Sequence, residues 1–145
     1  MKKRKISDHV RSRTREWFRK AEHELAFLEH APFDLDDPPT DTAGKMAHMV
    51  AEYSLKAYLM LNKKRIPKSH DLLILLERCM EIFNDKDFET LRDHCIRLLR
   101  YRVELTYPGP ISEEISVKEA REAIGDAKAI MQFVLKKAFD LGYSQ

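Results

Sequence analysis

His70 and Asp71 stand where a turn gives way to an apolar run, SHDLLILL, so they open a helix whose free N-terminal amides can receive an anion. An imidazole in that position can donate to a phosphate, and the Asp71 carboxylate suits the positive end of the helix dipole. The plainer reading is structural, with Asp71 complementing the dipole and His70 exposed in the first turn. Lys56, on the preceding helix, is placed to reach the same spot. Glu52 precedes it by one helical turn, the favourable orientation for an ion pair, and spacing alone describes a solvated surface bridge of ~0.5 kcal/mol or less. A second cluster lies in RLLRYRVELTYPG, where Arg100, Arg102 and Tyr107 converge near a helix end and a rigid turn. Arginine recognises phosphate with a planar fork, and a tyrosine can stack on a base or donate its hydroxyl. The alternative there is an Arg100 to Glu104 helical ion pair with Tyr107 packed in the core.

Metal chemistry is not expected. None of His9, His23, His30, His48, His70 and His94 forms a one-turn pair backed by a third ligand, and no C-x-x-C spacing occurs. Cys79 and Cys95 are too few for a disulfide framework and read as reduced, buried thiols. No cofactor motif or glycine-rich phosphate loop is present. The chain has 145 residues, enough for one domain over 1–145 with its own core, and 26 Lys and Arg nearly balance 24 Asp and Glu. The basic residues gather near the start, in MKKRKISDHVRSR, so residues 1–6 read as a flexible basic arm. That start lacks the apolar core of a signal peptide, and no apolar run is long enough to span a membrane, which implies a soluble, cytoplasmic protein.

Helices must position these groups. From about Ser7 to His30, Val10, Trp17, Ala21, Leu25 and Leu28 share a helical face, and Ala31-Pro32 ends it before the acidic loop PFDLDDPPTD. Thr42 or Asp41 is expected to cap a second helix running to about Arg65. Its apolar residues fill an arc of roughly 220°, too wide for a surface helix, so it should be central. The remaining strip carries Lys45, His48, Glu52, Lys56 and Lys63. Ser69 is the expected cap of a third helix through Phe83. Asn84 and Asp85 break the chain before a fourth, with Phe88, Leu91, Cys95 and Leu98 on its stripe, which ends at TYPGP. Ser116 and Glu119 form a capping box for the last, whose stripe runs from Val117 to Leu141 with Gly142 beyond it. The fold class is all-α, an up-and-down bundle of about five helices.

Four pieces in this order, WFRKAEHEL, AEYSLKAYL, SHDLLILL and LTYPG, followed by an alanine-rich last helix, resemble the HEPN domain, a nucleotide-binding all-helical family of prokaryotes and higher eukaryotes. The resemblance runs from about Trp17 to Ala138. It implies a bundle that usually dimerises and often acts beside a minimal nucleotidyltransferase in toxin-antitoxin or stress systems, some members being RNases and others binding nucleotides only. It places the family's second-helix lysine on Lys56, the acidic residue before it on Glu52, its His-Asp pair on His70 and Asp71, and its Tyr-Pro on Tyr107 and Pro108.

The chain departs from the family at two points. The RNase branch carries histidine five positions after an arginine, and counting from Arg102 that position is Tyr107, whose phenol with a pKa near ~10 is a poor base at neutral pH. The arginine of the R-Y-P branch is Thr106 here, leaving Arg100 or Arg102 as substitutes. The expectation is therefore a nucleotide- or RNA-phosphate-binding homodimer without the familiar catalysis, with Glu52, Lys56, His70, Asp71, Arg100, Arg102 and Tyr107 at its site. Two alternatives are kept: a metal-independent RNase using Arg102 with Tyr107 or His70, and an interaction subunit without a working pocket.

Overall fold

The computed structural model describes residues 3–103 and 114–145, and within them the chain is all-helical, with five α-helices and no strand. Glu104, Thr106, Tyr107, Pro108, Gly109 and Pro110, which carry part of the second cluster and its turn, lie outside the described residues. Helix α1 spans Asp8–Leu28. The Ser7 hydroxyl accepts from the Val10 amide at 3.2 Å, satisfying one of the first-turn donors. Val10, Thr14, Phe18, Ala21, Leu25 and Leu28 form its buried face, at spacings of three or four. Each large apolar side chain on it contributes ~1.5–3 kcal/mol by burial, and Phe18→Ala alone would remove ~3–5 kcal/mol.

Helix α2, Thr40–Leu61, is the centre of the bundle. Fifteen of its 22 residues are buried, and it packs against all four other helices, most extensively α1 and α5. It begins two residues before the expected Thr42, behind Pro39, with no side-chain cap. Thr40 instead donates its hydroxyl to the Ile115 carbonyl at 2.7 Å, tying this end to the segment that enters α5. The more consequential correction concerns the polar strip. Lys63 is exposed and Lys45 half-buried, but His48, Glu52 and Lys56 are buried, so the Glu52 to Lys56 pair is not a solvated surface bridge.

Helix α3, Leu72–Glu81, is capped by Asp71 rather than Ser69. The Asp71 carboxylate accepts from the Leu73 amide at 2.9 Å, and Ser69 Oγ accepts from the Asp71 amide at 3.0 Å. Asn84, at φ 50°, turns the chain into a 3-10 segment, Lys86–Leu91, and then α4, Arg92–Val103. Phe88, Leu91, Cys95 and Leu98 are all buried, as their stripe requires, although its first half is 3-10 rather than α. Cys79 and Cys95 are buried free thiols.

Helix α5, Val117–Asp140, opens on the expected capping box, with Ser116 Oγ accepting from the Glu119 amide at 3.0 Å. At its far end Gly142 has φ 103°, and a Cβ there would meet the Arg4 carbonyl at 2.6 Å. That contact belongs to the stretch expected as a flexible arm, which is packed at Arg4 and Ile6. The Arg4 amide donates to Leu141 O at 2.9 Å, its guanidinium donates to Asn62 Oδ1 at 2.7 Å, and Ile6 is buried. No helix among the described residues is long and apolar enough to cross a membrane.

Candidate functional site

Three of the predicted site residues meet beside the middle of α2. One helical turn separates Glu52 from Lys56, and the Lys56 ammonium donates to Glu52 Oε2 at 2.9 Å, with side chains only 8% and 7% exposed. His70 arrives from the turn ahead of α3, its Nδ1 lying 3.1 Å from both Glu52 oxygens. Its ring is 51% exposed, so it reaches from the buried carboxylate to solvent. Burial works to raise the Glu52 carboxyl, but the hydrogen bonds from Lys56 and His70 outweigh it and hold the group below its ordinary value. Glu52 is thus ionised at neutral pH and can only accept. His70 Nδ1 therefore carries a proton, and Nε2 is the nitrogen left for a ligand, a donor when protonated and an acceptor or base when not.

A residue that spacing placed only on the strip, His48, completes the cluster. It is fully buried, with Nδ1 3.8 Å from Glu52 Oε1, too long for a hydrogen bond, and the His70 backbone lies close enough to act on the ring. Burial lowers its pKa to about 4, against the pull of Glu52 and aided by the charges of Arg102 and His70. The same Arg102 charge acts on Tyr53, so the fourth helix brings a guanidinium to this face of α2. The close approach that positions it is made at Gly44, where a Cβ would lie 2.3 Å from the Tyr101 ring. Lys56 is roofed by Trp17 of α1, its ammonium 5.8 Å from the ring centroid.

Asp71 and Arg100 do not join this group. Asp71 uses its carboxylate on the Leu73 amide, so an anionic side chain of the protein itself already sits at the α3 N-terminus. Arg100 reaches α5, where Nη1 donates to Glu119 Oε2 at 3.0 Å, bracing the capping box. Tyr107 lies outside the described residues. A separate ionic cluster, invisible to local spacing, joins α4 to α5: Asp126 is buried and accepts from Arg97 Nη2 at 2.8 Å and Nε at 3.0 Å, with His94 Nδ1 at 2.6 Å. All its charge is matched, as a structural brace requires. Among the described residues no group of three or more His, Cys, Asp and Glu side chains is arranged to hold a metal ion.

Residues 14–138 match the family model of the HEPN domain. The chain belongs to the HEPN domain family. The match takes in all of α2 to α4, α1 from residue 14 onward and nearly all of α5, and so every residue of the Glu52 cluster. HEPN domains are in general related to nucleotides and RNA. Neither the curated proteins nor the solved structures compared with this chain gave a match.

Proposed function

We propose that this HEPN domain binds nucleotide or RNA phosphates on the face where His70 and Arg102 flank the Glu52 to Lys56 pair. The observation that supports it most is the hydrogen-bonded Glu52 to His70 contact, which fixes a half-exposed imidazole over a buried carboxylate. Arg102 meets the phosphate as a charged fork, and His70 donates to a phosphate oxygen when its Nε2 carries a proton. Lys56 acts from beneath, because its ammonium is buried against Glu52 and Trp17. Its role is to keep Glu52 ionised and His70 oriented. The reading includes a homodimer, supported by the 49% exposure of Ile96 on α4, and a minimal nucleotidyltransferase as partner in a toxin-antitoxin or stress system.

Calorimetry at low salt with ATP and with a short RNA tests it. His70→Ala and Arg102→Ala are each expected to weaken binding about tenfold, on the order of 1.4 kcal/mol. Wild-type protein that binds neither ligand sinks the proposal and leaves the interaction subunit.

The same contact favours a second reading, metal-independent RNA cleavage with His70 as base. Its Nε2 would take the proton of a 2'-hydroxyl, the oxygen would attack phosphorus, and the bond to the 5'-oxygen would break as that oxygen takes a proton from solvent. The products are a 2',3'-cyclic phosphate and a 5'-hydroxyl, with Arg102 balancing charge on the phosphoryl oxygens. Cleavage in EDTA that disappears in His70→Ala and survives in Tyr107→Phe would put this reading first. Uncut RNA removes it.

A further inference from the structure

Beside the Glu52 cluster, between α1 and α2, lies an open cleft of about 350 Å³ lined by Lys20, His23, Glu24, Phe27, Met46 and Tyr53. Its volume falls in the range of small-molecule sites. Two aromatic rings face it, and Phe27 is 68% exposed, unusual for so large an apolar side chain with no partner over it. Tyr53 is steadied by Trp17, ring centroids 5.9 Å apart, and Lys20 holds its ammonium 5.7 Å from the Tyr53 ring centroid.

The polar groups in the cleft are not in balance. Glu24 Oε2 is buried and has no hydrogen-bond partner among the described residues. Burial pushes the Glu24 carboxyl up from its ordinary value, and its charge acts on Tyr53, as does that of Arg102. A buried acceptor without a donor costs ~1–3 kcal/mol, and a ligand bringing donors removes that cost.

Three properties of an occupant follow. It is flat enough to lie on Tyr53 and Phe27, it carries N–H donors on one edge for Glu24, and it has an anionic part for Lys20. A nucleotide has all three. Among the bases only guanine places two donors, N1–H and the N2 amino group, side by side, which is the pairing a carboxylate accepts with both oxygens. Adenine and cytosine set an acceptor beside their amino group, and uracil flanks its one donor with carbonyls.

We propose that the α1–α2 cleft is a nucleobase subsite selective for guanine, with Glu24 as the reading group and Tyr53 and Phe27 as the stacking surfaces. This rests on the phosphate-binding reading above and adds base identity to it.

Binding of GTP, ATP, CTP, UTP and pyrophosphate to the full chain at low salt separates the two claims. Wild type is expected to hold GTP at least tenfold tighter than ATP. Glu24→Gln, which presents an amide donor beside a carbonyl, should bring the two within about threefold of each other and leave pyrophosphate binding unchanged. Tyr53→Leu should weaken all four nucleotides by about tenfold without moving pyrophosphate. Trp17 is the single tryptophan of the chain, so GTP should quench its fluorescence where pyrophosphate does not. Equal affinity for all bases alongside firm pyrophosphate binding would overturn the subsite while the phosphate reading stands. An unchanged GTP preference in Glu24→Gln would overturn it too. Absence of binding by every probe would remove both.

Discussion

Lys56→Met keeps the length of the side chain and its contact with Trp17 but removes the charge that faces Glu52. If the pair stood in solvent, as its spacing alone describes, the loss would be ~0.5 kcal/mol or less. The structure puts both side chains below one-tenth exposure with the ammonium 2.9 Å from Oε2. Removing one member of such a pair leaves a buried carboxylate short of a partner, which typically costs ~3–5 kcal/mol. His70 still donates to Glu52, so the lower part of that range applies, roughly 3 kcal/mol. For a domain of this size that corresponds to a fall in Tm of about 10 °C. Urea unfolding followed by circular dichroism at pH 7 measures it, with the slope m unchanged.

Glu52→Gln/Lys56→Met, which removes both charges, should recover most of the loss, and the cycle should give a coupling of about 2 kcal/mol. The loss also depends on pH. The Glu52 carboxyl is held below its ordinary value of 4.5 in the folded chain, so its contribution is present above that value and disappears as pH falls through the folded one. The penalty of Lys56→Met should shrink over the same acidic window. A penalty under ~0.5 kcal/mol, with no recovery in the double variant, would refute the burial of this pair and with it the oriented His70.

Burial holds His48 neutral to about pH 4, against 6.5 for a free imidazole, so the unfolded chain takes the proton first and stability falls as pH drops from 6.5 toward 4, by roughly 3 kcal/mol in all. His48→Leu should flatten that part of the stability profile, and a slope unaltered by the substitution would show the histidine solvated. Gly44→Ala forces a methyl to within 2.3 Å of the Tyr101 ring, so it should cost about 1–3 kcal/mol in urea unfolding and weaken RNA binding by displacing Arg102; a variant as stable as wild type would mean that α2 and α4 do not approach there.

The helices were legible because their signals are local. Ser7 and Ser116 sit one turn before the amides they cap, and the stripes of α1 and α5 repeat at three and four residues without interruption. Ser69 and Asp71 compete for one helix start, and two nested bonds settle it: Ser69 holds the Asp71 amide while Asp71 holds that of Leu73. Spacing also paired Glu52 with Lys56 but carried no information on what covers them. Trp17 of α1 and the turn bearing His70 do so, and the latter is 18 residues from Glu52. His48 shares the polar face of α2 with them, and only the packed neighbours make it a buried imidazole. The arm shows the reverse case, a charged sequence that reads as solvated yet is tied at Arg4 to Leu141 near the other end of the chain and to Asn62 at the end of α2.

Three acidic side chains of this bundle divide by what surrounds their oxygens. Asp126 accepts from Arg97 and meets His94, Glu52 accepts from Lys56 and His70, and Glu24 has a buried oxygen with no donor among the described residues. The first two are matched within the protein, and a matched buried charge can brace helices or hold a neighbouring group in place. Asp126 joins two helices. Glu52 does more, since one of its donors is a half-exposed imidazole whose second nitrogen faces outward. A buried carboxylate oxygen without a donor at the wall of an open cleft costs the folded state, and a donor from solvent or from a ligand relieves it. Glu24 and Glu52 lie on the helices that pack most extensively, α1 and α2, so the core holds the backbone that carries each. Rigidity of that kind favours recognition by preformed contacts, with little ordering left to do when a ligand arrives.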